Sequence, residues 1–574
     1  MPPGGTGTTG PPVVDVGNDE EMSTMRSATL PRLRLLALPM ALAVMLTACG
    51  ADEPDTGESA GDEDGEEQAQ EEGEQDGDED ADAPADEAEL DSDATLRVAW
   101  STLPNQLDPH MAALEVSEFR APLALVYDRL FTVTPEVEVE GMLVEEWGYS
   151  DDGLTLTLEL RDDVEFRDGT PLDAEVVASN LERARELESP AVQSRMAPVE
   201  GVDAVADYTV ELALASPTPE IPWVLSQNAG LIMHPELLED GEPAEEVRGS
   251  GPYVIDSFTP GEEVTVVRDI DHGYWDEDAA KLARIEMVRI ADPSALTGAM
   301  QGGQVDLAQF FPFTVGAMED EEGFKIEHFP MESSLEIFIN RTWEGLDDRQ
   351  VRQAINHAID REAIVESLFP GSDPKWQFFR NGLPGSDPEL EGVYPYDPEA
   401  ARELLAEAGY ADGLDLGGMP VTQAAAPGLG EVIQEQLAEV GITVQPESTD
   451  AAEIYSIWPQ GEHALKINFG GSGMEPGSSL NNRFRPGLLI DETTSEYDEL
   501  LAEASSNLLD EDERNARYAE VNRHVVEEAW VAPLVWINWP YVMDERVVNF
   551  TVDTVDYGTM PGPFDFRYVG MLEE

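Results

Sequence analysis

Side chains able to do chemistry are abundant in this chain, but few of them are spaced for it. The seven histidines (His110, His234, His272, His328, His357, His463 and His524) are scattered and never stand at metal-ligand spacing. A zinc protease needs two of them one helical turn apart, as in HExxH, and no such sequence occurs. No Walker loop is present to cradle a phosphate. Gly470-Gly471-Ser472-Gly473 approaches the GxSxG elbow that exposes a nucleophilic serine, but Met474 stands where the last glycine is needed. Paired carboxylates would suit acid–base work, yet among 120 Asp and Glu such pairs arise everywhere by chance. Enzyme signals are weak, and neither a metal nor a cofactor is expected. Of the ten tryptophans, Trp530, Trp536 and Trp539 cluster. Indoles line binding clefts, although core packing is their more frequent role.

The single cysteine is better placed. Arg26, Arg32 and Arg34 precede a 14-residue apolar run, Leu35 to Ala48, that ends at Cys49-Gly50. A basic region, a short apolar core and small residues at the exit describe a secretory signal peptide. The run is shorter than the roughly 20 residues needed to span a bilayer. Leu46-Thr47-Ala48-Cys49 resembles the lipobox of bacterial lipoproteins, in which the thiol is alkylated by diacylglycerol and the chain is cut just before it. An ordinary signal peptide with an incidental cysteine is the alternative. With only Cys49 available, no intramolecular disulfide can form. Residues 1–21 are Gly/Pro/Thr-rich and acidic, unlike a signal n-region, so translation from Met22 or Met25 is expected in place of Met1.

Charge divides the rest. Residues 51–93 carry 22 Asp or Glu in 43 positions, no Lys or Arg, and almost no apolar side chains. Such a segment cannot bury enough surface to fold, and its charges hold it extended, as a tether. The whole chain has 574 residues and a net charge of −88; setting aside the tether and the net −1 of residues 1–48 leaves −65 on the remainder. Nucleic acid is excluded as a partner, since its phosphates would be repelled along nearly every face. Lysine occurs only at 281, 325, 375 and 466. An acidic, lysine-poor surface suits a saline medium; lineage composition bias explains it equally well.

From Ala94 onward the apolar residues are regularly spaced, and at 41% of the chain they are enough to build a large core. Thr95–Trp100 alternates as a strand, as do Leu154, Leu156, Leu158 and Leu160. Asp168-Gly169 reads as a turn, and Asp173 as the N-cap of a helix continuing through Leu181. Val351, Ala354, Ile355, Ala358 and Ile359 recur at helical spacing, with Asp347 or Asp348 as the cap. Asp397-Pro398 opens a further helix and Gly409 closes it. Val432, Leu437 and Val440 mark another, after which Gly441 leads into the strand Ile442–Val444. The pattern is α/β and has no repeat.

Several segments, in order from about residue 95 to 540, resemble the extracytoplasmic solute-binding proteins of peptide and nickel ABC importers (family 5). They are Leu107-Asp-Pro109, Val126-Tyr-Asp-Arg-Leu130, the block Glu145 to Leu172, Gly249-Ser-Gly-Pro-Tyr253, Tyr274-Trp275 and Gly303-Gln-Val-Asp306. Asp348-Arg-Gln-Val-Arg-Gln-Ala-Ile-Asn-His-Ala-Ile-Asp-Arg361 is the most specific, and Tyr396 to Tyr410 and Gln436 to Gly441 complete the set. The resemblance implies a two-lobed α/β periplasmic-binding-protein fold with an extra subdomain in the first lobe and the ligand cleft between the lobes. The boundaries expected are 1–48 for the extension and signal peptide, 49–93 for the lipidated Cys and tether, 94–305 for lobe 1 (smaller subdomain about 133–230), 306–530 for lobe 2, and 531–574 for a return to lobe 1. A receptor of this kind sits outside the membrane, on its outer face or in a periplasm, and passes a small solute to ABC permease subunits without chemistry of its own. The competing expectation is a secreted lipoprotein hydrolase.

In peptide-binding members of that family a Trp-x-x-Asp segment supplies an aspartate for the ligand's α-ammonium. Here the matching stretch is Phe469-Gly-Gly-Ser472, with Glu475 three residues on. A neutral hydroxyl cannot replace a buried carboxylate as an ammonium partner. The resemblance thus implies an oligopeptide by default, with a neutral oligosaccharide or a modified peptide made more attractive by Ser472. The wall residues expected are Phe469, Trp458, Trp536 and Asn538, together with Ser472 and Glu475.

Overall fold

The computed structural model describes residues 90–111, 117–134, 138–187, 192–239, 247–269, 273–423, 425–470, 476–484, 490–551 and 565–573. Cys49, the apolar run before it and the acidic stretch up to residue 89 lie outside the described residues.

A four-stranded antiparallel sheet is formed, in spatial order, by Val144–Tyr149, Thr155–Leu160, Thr209–Leu214 and Val199–Ala206. Leu156, Leu158 and Leu160 turn inward, as their alternation predicts. Asp173 caps the following helix by accepting from the Val176 amide, and the helix runs past Leu181 to Glu186. It lays Val177, Leu181 and Ala184 on the sheet, giving this unit a core of its own with Val210, Leu212 and Trp223.

An eleven-stranded sheet carries most of the rest. At one end Leu414–Thr422 and Ile442–Thr449 run parallel, joined by the helix Leu429–Glu439. Gly441, at φ +92°, makes the sharp exit that the sequence foretells. At the other end Thr95–Trp100 lies between Arg284–Arg289 and Leu307–Gln309, parallel to both. Two long antiparallel strands, Phe324–Ile339 and Val531–Asp544, link the ends. Residues 541–543 pair with Leu307–Gln309, whereas residues 335–339 pair with Leu465–Phe469. Their own pairing shifts register between Pro330 and Ser334.

The chain crosses between the two ends of the sheet in these two strands, while residues 307–309 pair beside Thr95–Trp100. The reason is local: the Asp306 carboxylate accepts from the Arg97 backbone amide at 2.8 Å and from its guanidinium at 2.7 and 2.9 Å. That contact pins residues 306–309 beside Thr95–Trp100, and Phe310, Val315 and Met318 pack against Ala99 and Leu296.

The segments that carry the family resemblance hold the frame. Arg567 Nη1 and Tyr274 Oη donate to Asp128 at 3.1 and 2.7 Å, and Ser250 Oγ donates to it at 2.8 Å. This buried knot ties Val126–Leu130, Gly249–Tyr253 and Tyr274-Trp275 to the C-terminal segment. In the helix Arg349–His357, capped by Asp348, Asn356 Nδ2 donates to the Val531 carbonyl at 3.2 Å. Arg361, which burial lowers to about 9, donates to the Pro533 carbonyl at 2.7 Å. The most specific stretch of sequence thus anchors a crossing strand.

Candidate solute-binding site

Strand alternation sorts the residues around the crossing onto two faces. Leu335, Ile337, Ile339, Leu465 and Ile467 enter the main core. The other face carries Ser334, Glu336 and Phe338, with Asn468 and Lys466 as the register partners of Glu336 and Phe338. Trp536, the register partner of Ser334, joins them.

Polar groups buried on a sheet face need partners, and here the partners are ionic. Asp373-Pro374 pairs with Trp536 and Val535, which carries Lys375 inward. Lys375 Nζ donates to Glu336 Oε1 at 2.6 Å and to Ser334 Oγ at 2.9 Å, and lies 3.7 Å from the Trp536 ring centroid. Arg483, at the end of the helix Pro476–Arg483, pairs with Glu336 Oε2, its guanidinium 3.9 Å over the Phe338 ring. Lys375 and Glu336 are both fully buried. Burial lowers Arg483 to about 9.

Lys466 is also fully buried. Its Nζ lies 4.2 Å from the Phe338 ring, 4.7 Å from Trp458 and 5.7 Å from Tyr455, an aromatic box around an ammonium. Burial lowers it to about 7. Lys466 Nζ, Asn468 Nδ2 and Arg483 Nε have no hydrogen-bond acceptor among the described residues.

The expected wall residues separate. Trp458 is buried as a wall of the Lys466 box, and Trp536 stacks beneath Lys375. Asn538 is committed to a surface network: its Oδ1 accepts from Arg380 at 3.0 Å, and its Nδ2 donates to Asp373 and to the Gly371 carbonyl. Phe469 does not share their face; it packs against the main core, because it is the register partner of Leu335. Ser472 and Glu475 lie outside the described residues. The three clustered tryptophans disperse: Trp530 packs against Tyr497 and Phe484, and Trp539 against Phe311.

Sequence reasoning missed Glu336, Lys375, Lys466 and Arg483. A signal was present, since a chain with four lysines places one inside the apolar strand Leu465-Lys-Ile-Asn-Phe469.

A cavity of about 410 Å³ opens between two parts of the chain distant in sequence. Trp147, Tyr149 and Trp223 wall one side; Pro384, Arg514 and Tyr518 wall the other. At its edge Asn507 Nδ2 donates to the Gly153 carbonyl at 3.0 Å. A second cavity, of about 560 Å³, is lined by Leu107, Phe166, Tyr253 and Phe258 with His234. Among the described residues, no group of His, Cys, Asp and Glu is placed to hold a metal, and no helix is long and apolar enough to cross a membrane.

The fold has counterparts among known proteins. Residues 138–487 match the family described as bacterial extracellular solute-binding proteins, family 5, middle region. The glutathione-binding protein GsiB of Escherichia coli K12 is 30% identical over 360 residues, which span 60% of this chain and 68% of the relative. DppA from Helicobacter pylori, solved with the peptide STSA, has a TM-score of 0.68 at 20% identity, covering 84% of this chain and 98% of its own. NikA from Brucella suis, solved with Fe(III)-EDTA, has a TM-score of 0.73 at 23% identity, covering 83% of this chain and 100% of its own. The small antiparallel subdomain, the crossing strands and a family match over more than half the sequence lead to one assignment: the chain belongs to the family 5 extracellular solute-binding proteins, the substrate-binding components of ABC importers.

Proposed function

We propose that this protein is a membrane-tethered receptor that closes over a small peptide-like solute and presents it to an ABC permease. The cavity between Trp147, Tyr149 and Trp223 on one side and Arg514 and Tyr518 on the other carries this reading, because an occupant there would touch both parts of the chain at once. One lobe would comprise residues from 94 to about 310 together with the chain after Trp536, and the other the residues between, with the crossing strands as hinge.

Glutathione and the peptide STSA, named for two of the similar proteins, make a short peptide the first solute to try. Ser472 and Glu475 are proposed as solute contacts, with Glu475 the acid able to replace the missing aspartate toward a ligand amine. A secreted hydrolase finds no support: the serine elbow is incomplete at Met474, and the relatives named above are binding proteins. Native mass spectrometry of protein purified without denaturation tests the reading. A stoichiometric small solute is expected. Its absence, together with no binding of glutathione or of a tripeptide library, would contradict a receptor role.

Cys49 is proposed as the lipid attachment site, the acidic stretch after it supplying reach toward the permease. Replacing Cys49→Ala should move the protein from the membrane fraction to the soluble one, as read by fractionation and blotting; unchanged retention would remove the anchor from this account.

A further inference from the structure

Near its register break the strand Val531–Asp544 has a further neighbour. After the helix Arg361–Leu368 the chain runs antiparallel to it, with Asp373 opposite Trp536 and Pro374 opposite Val535. The Lys375 amide continues the pairing by donating to the Leu534 carbonyl at 3.2 Å. All of these residues belong to one proposed lobe. The break follows at once: Trp536 and Asn538 are two residues apart, but their register partners Ser334 and Pro330 are four apart. An interrupted ladder is where paired strands bend, so hinge motion concentrates here.

Asn538 stands beyond the break and reaches back over it. Its Oδ1 accepts from Arg380 Nη2 at 3.0 Å, and its Nδ2 donates to the Gly371 carbonyl at 2.9 Å and to Asp373 Oδ2 at 3.0 Å. Its backbone amide donates to Ser372 Oγ at 3.2 Å. Arg380 Nη1 closes the ring by donating to the same Asp373 oxygen at 2.8 Å. The pairing with Val535 and Trp536 ends at Asp373, so these bonds are additional to the sheet. On the other crossing strand His328, the register partner of Pro540, packs against Gly371. Gly371 has φ +77°, and a Cβ there would stand 2.5 Å from the imidazole. Glycine thus lets the stretch lie flat on both crossing strands past the break.

We infer that residues 371–373 and Arg380 form a latch on Asn538 that holds the hinge in the arrangement where the walls of the 410 Å³ cavity meet. Asn538 rides with one proposed lobe and its four partners ride with the other, so rotation at the break must part them. The contact between Asn507 and Gly153 holds the same arrangement at the cavity's edge, and the latch holds it at the hinge. Asn538 is then a positioning residue, which sets how long a solute is held without touching it. This rests on the hinged-receptor reading and replaces the expectation that Asn538 lines the cleft.

Spin-label distance measurements on the natively purified protein test this without knowledge of the solute. Cys49→Ala removes the chain's one thiol, and Asp203→Cys with Glu499→Cys places labels at exposed positions on the two proposed lobes. A shorter and a longer distance are expected. In Asn538→Ala the odds of the shorter one should fall about 10-fold, the scale of one hydrogen bond to a charged group. Gly371→Ala should shift them the same way by pushing the stretch off His328, so the result does not hang on one variant; a thermal melt checks that each folds. Two distances in unchanged proportion in both variants overturn the latch and leave the hinge standing, and a lowered melting temperature with unchanged proportions does the same. One distance throughout, with and without glutathione, overturns the latch and the hinge together.

Discussion

At the scale of single residues, the buried layer on the crossing strands makes two sharp demands. Glu336 is the counter-ion of both Lys375 and Arg483. Glu336→Gln keeps the shape and removes the charge that Lys375 and Arg483 share. A loss of about 3–5 kcal/mol in chemical denaturation is expected, and a loss below about 1 kcal/mol would show that water reaches the layer. Lys466 makes a demand with a sign. Burial lowers it from 10.5 to about 7, with Phe338, Trp458 and Tyr455 as its walls. Between those two values the unfolded chain holds a proton that the native protein has released, so stability from this residue rises with pH. Below about 7 the penalty of the buried charge is felt in full. The stability advantage of Lys466→Met over the unaltered protein should therefore be greatest at pH 6 to 7 and shrink toward pH 10, by a few kcal/mol in all. A difference that stays flat across that range would mean the amine is charged throughout.

At the scale of elements, much was legible because the signals were local. Asp173, Asp348 and Asp397 accept from helix N-terminal amides where the sequence places caps, and the alternating leucines of Thr155–Leu160 face inward. What stayed hidden depends on pairing between distant segments. Nothing near Phe469 announces that it registers with Leu335, and nothing near Glu336 announces Arg483, which is 147 residues away. The same holds for the contact between the turn at Ser150–Leu154 and the loop at Asn507. Gly153 has φ +71°, and a Cβ there would stand 2.3 Å from Asn507 Oδ1. Gly153→Ala should cost about 1 kcal/mol in stability from backbone strain. If the cavity closes as proposed, the substitution should also weaken capture of every solute by a similar factor, about 3- to 10-fold, mainly through faster release, because this contact joins the two sides at the cavity's edge. Stopped-flow dissociation of two unlike solutes checks this. A change confined to one of them would place Gly153 in the binding surface.

At the scale of the whole molecule, opposite charges are partitioned. The chain carries a net charge of −88, whereas Lys375, Lys466 and Arg483 are buried together on one face of the sheet. The resemblance made the fold readable from end to end, whereas the gathering of Lys375, Lys466 and Arg483 on one face depends on pairing between segments distant in sequence. Small-angle X-ray scattering of the natively purified protein, before and after its solute is removed, tests the account most directly. The radius of gyration should be smaller with solute bound and return to that value when the solute is added back. An unchanged radius at saturating solute would contradict closure, and with it the claim that this protein works as a hinged receptor.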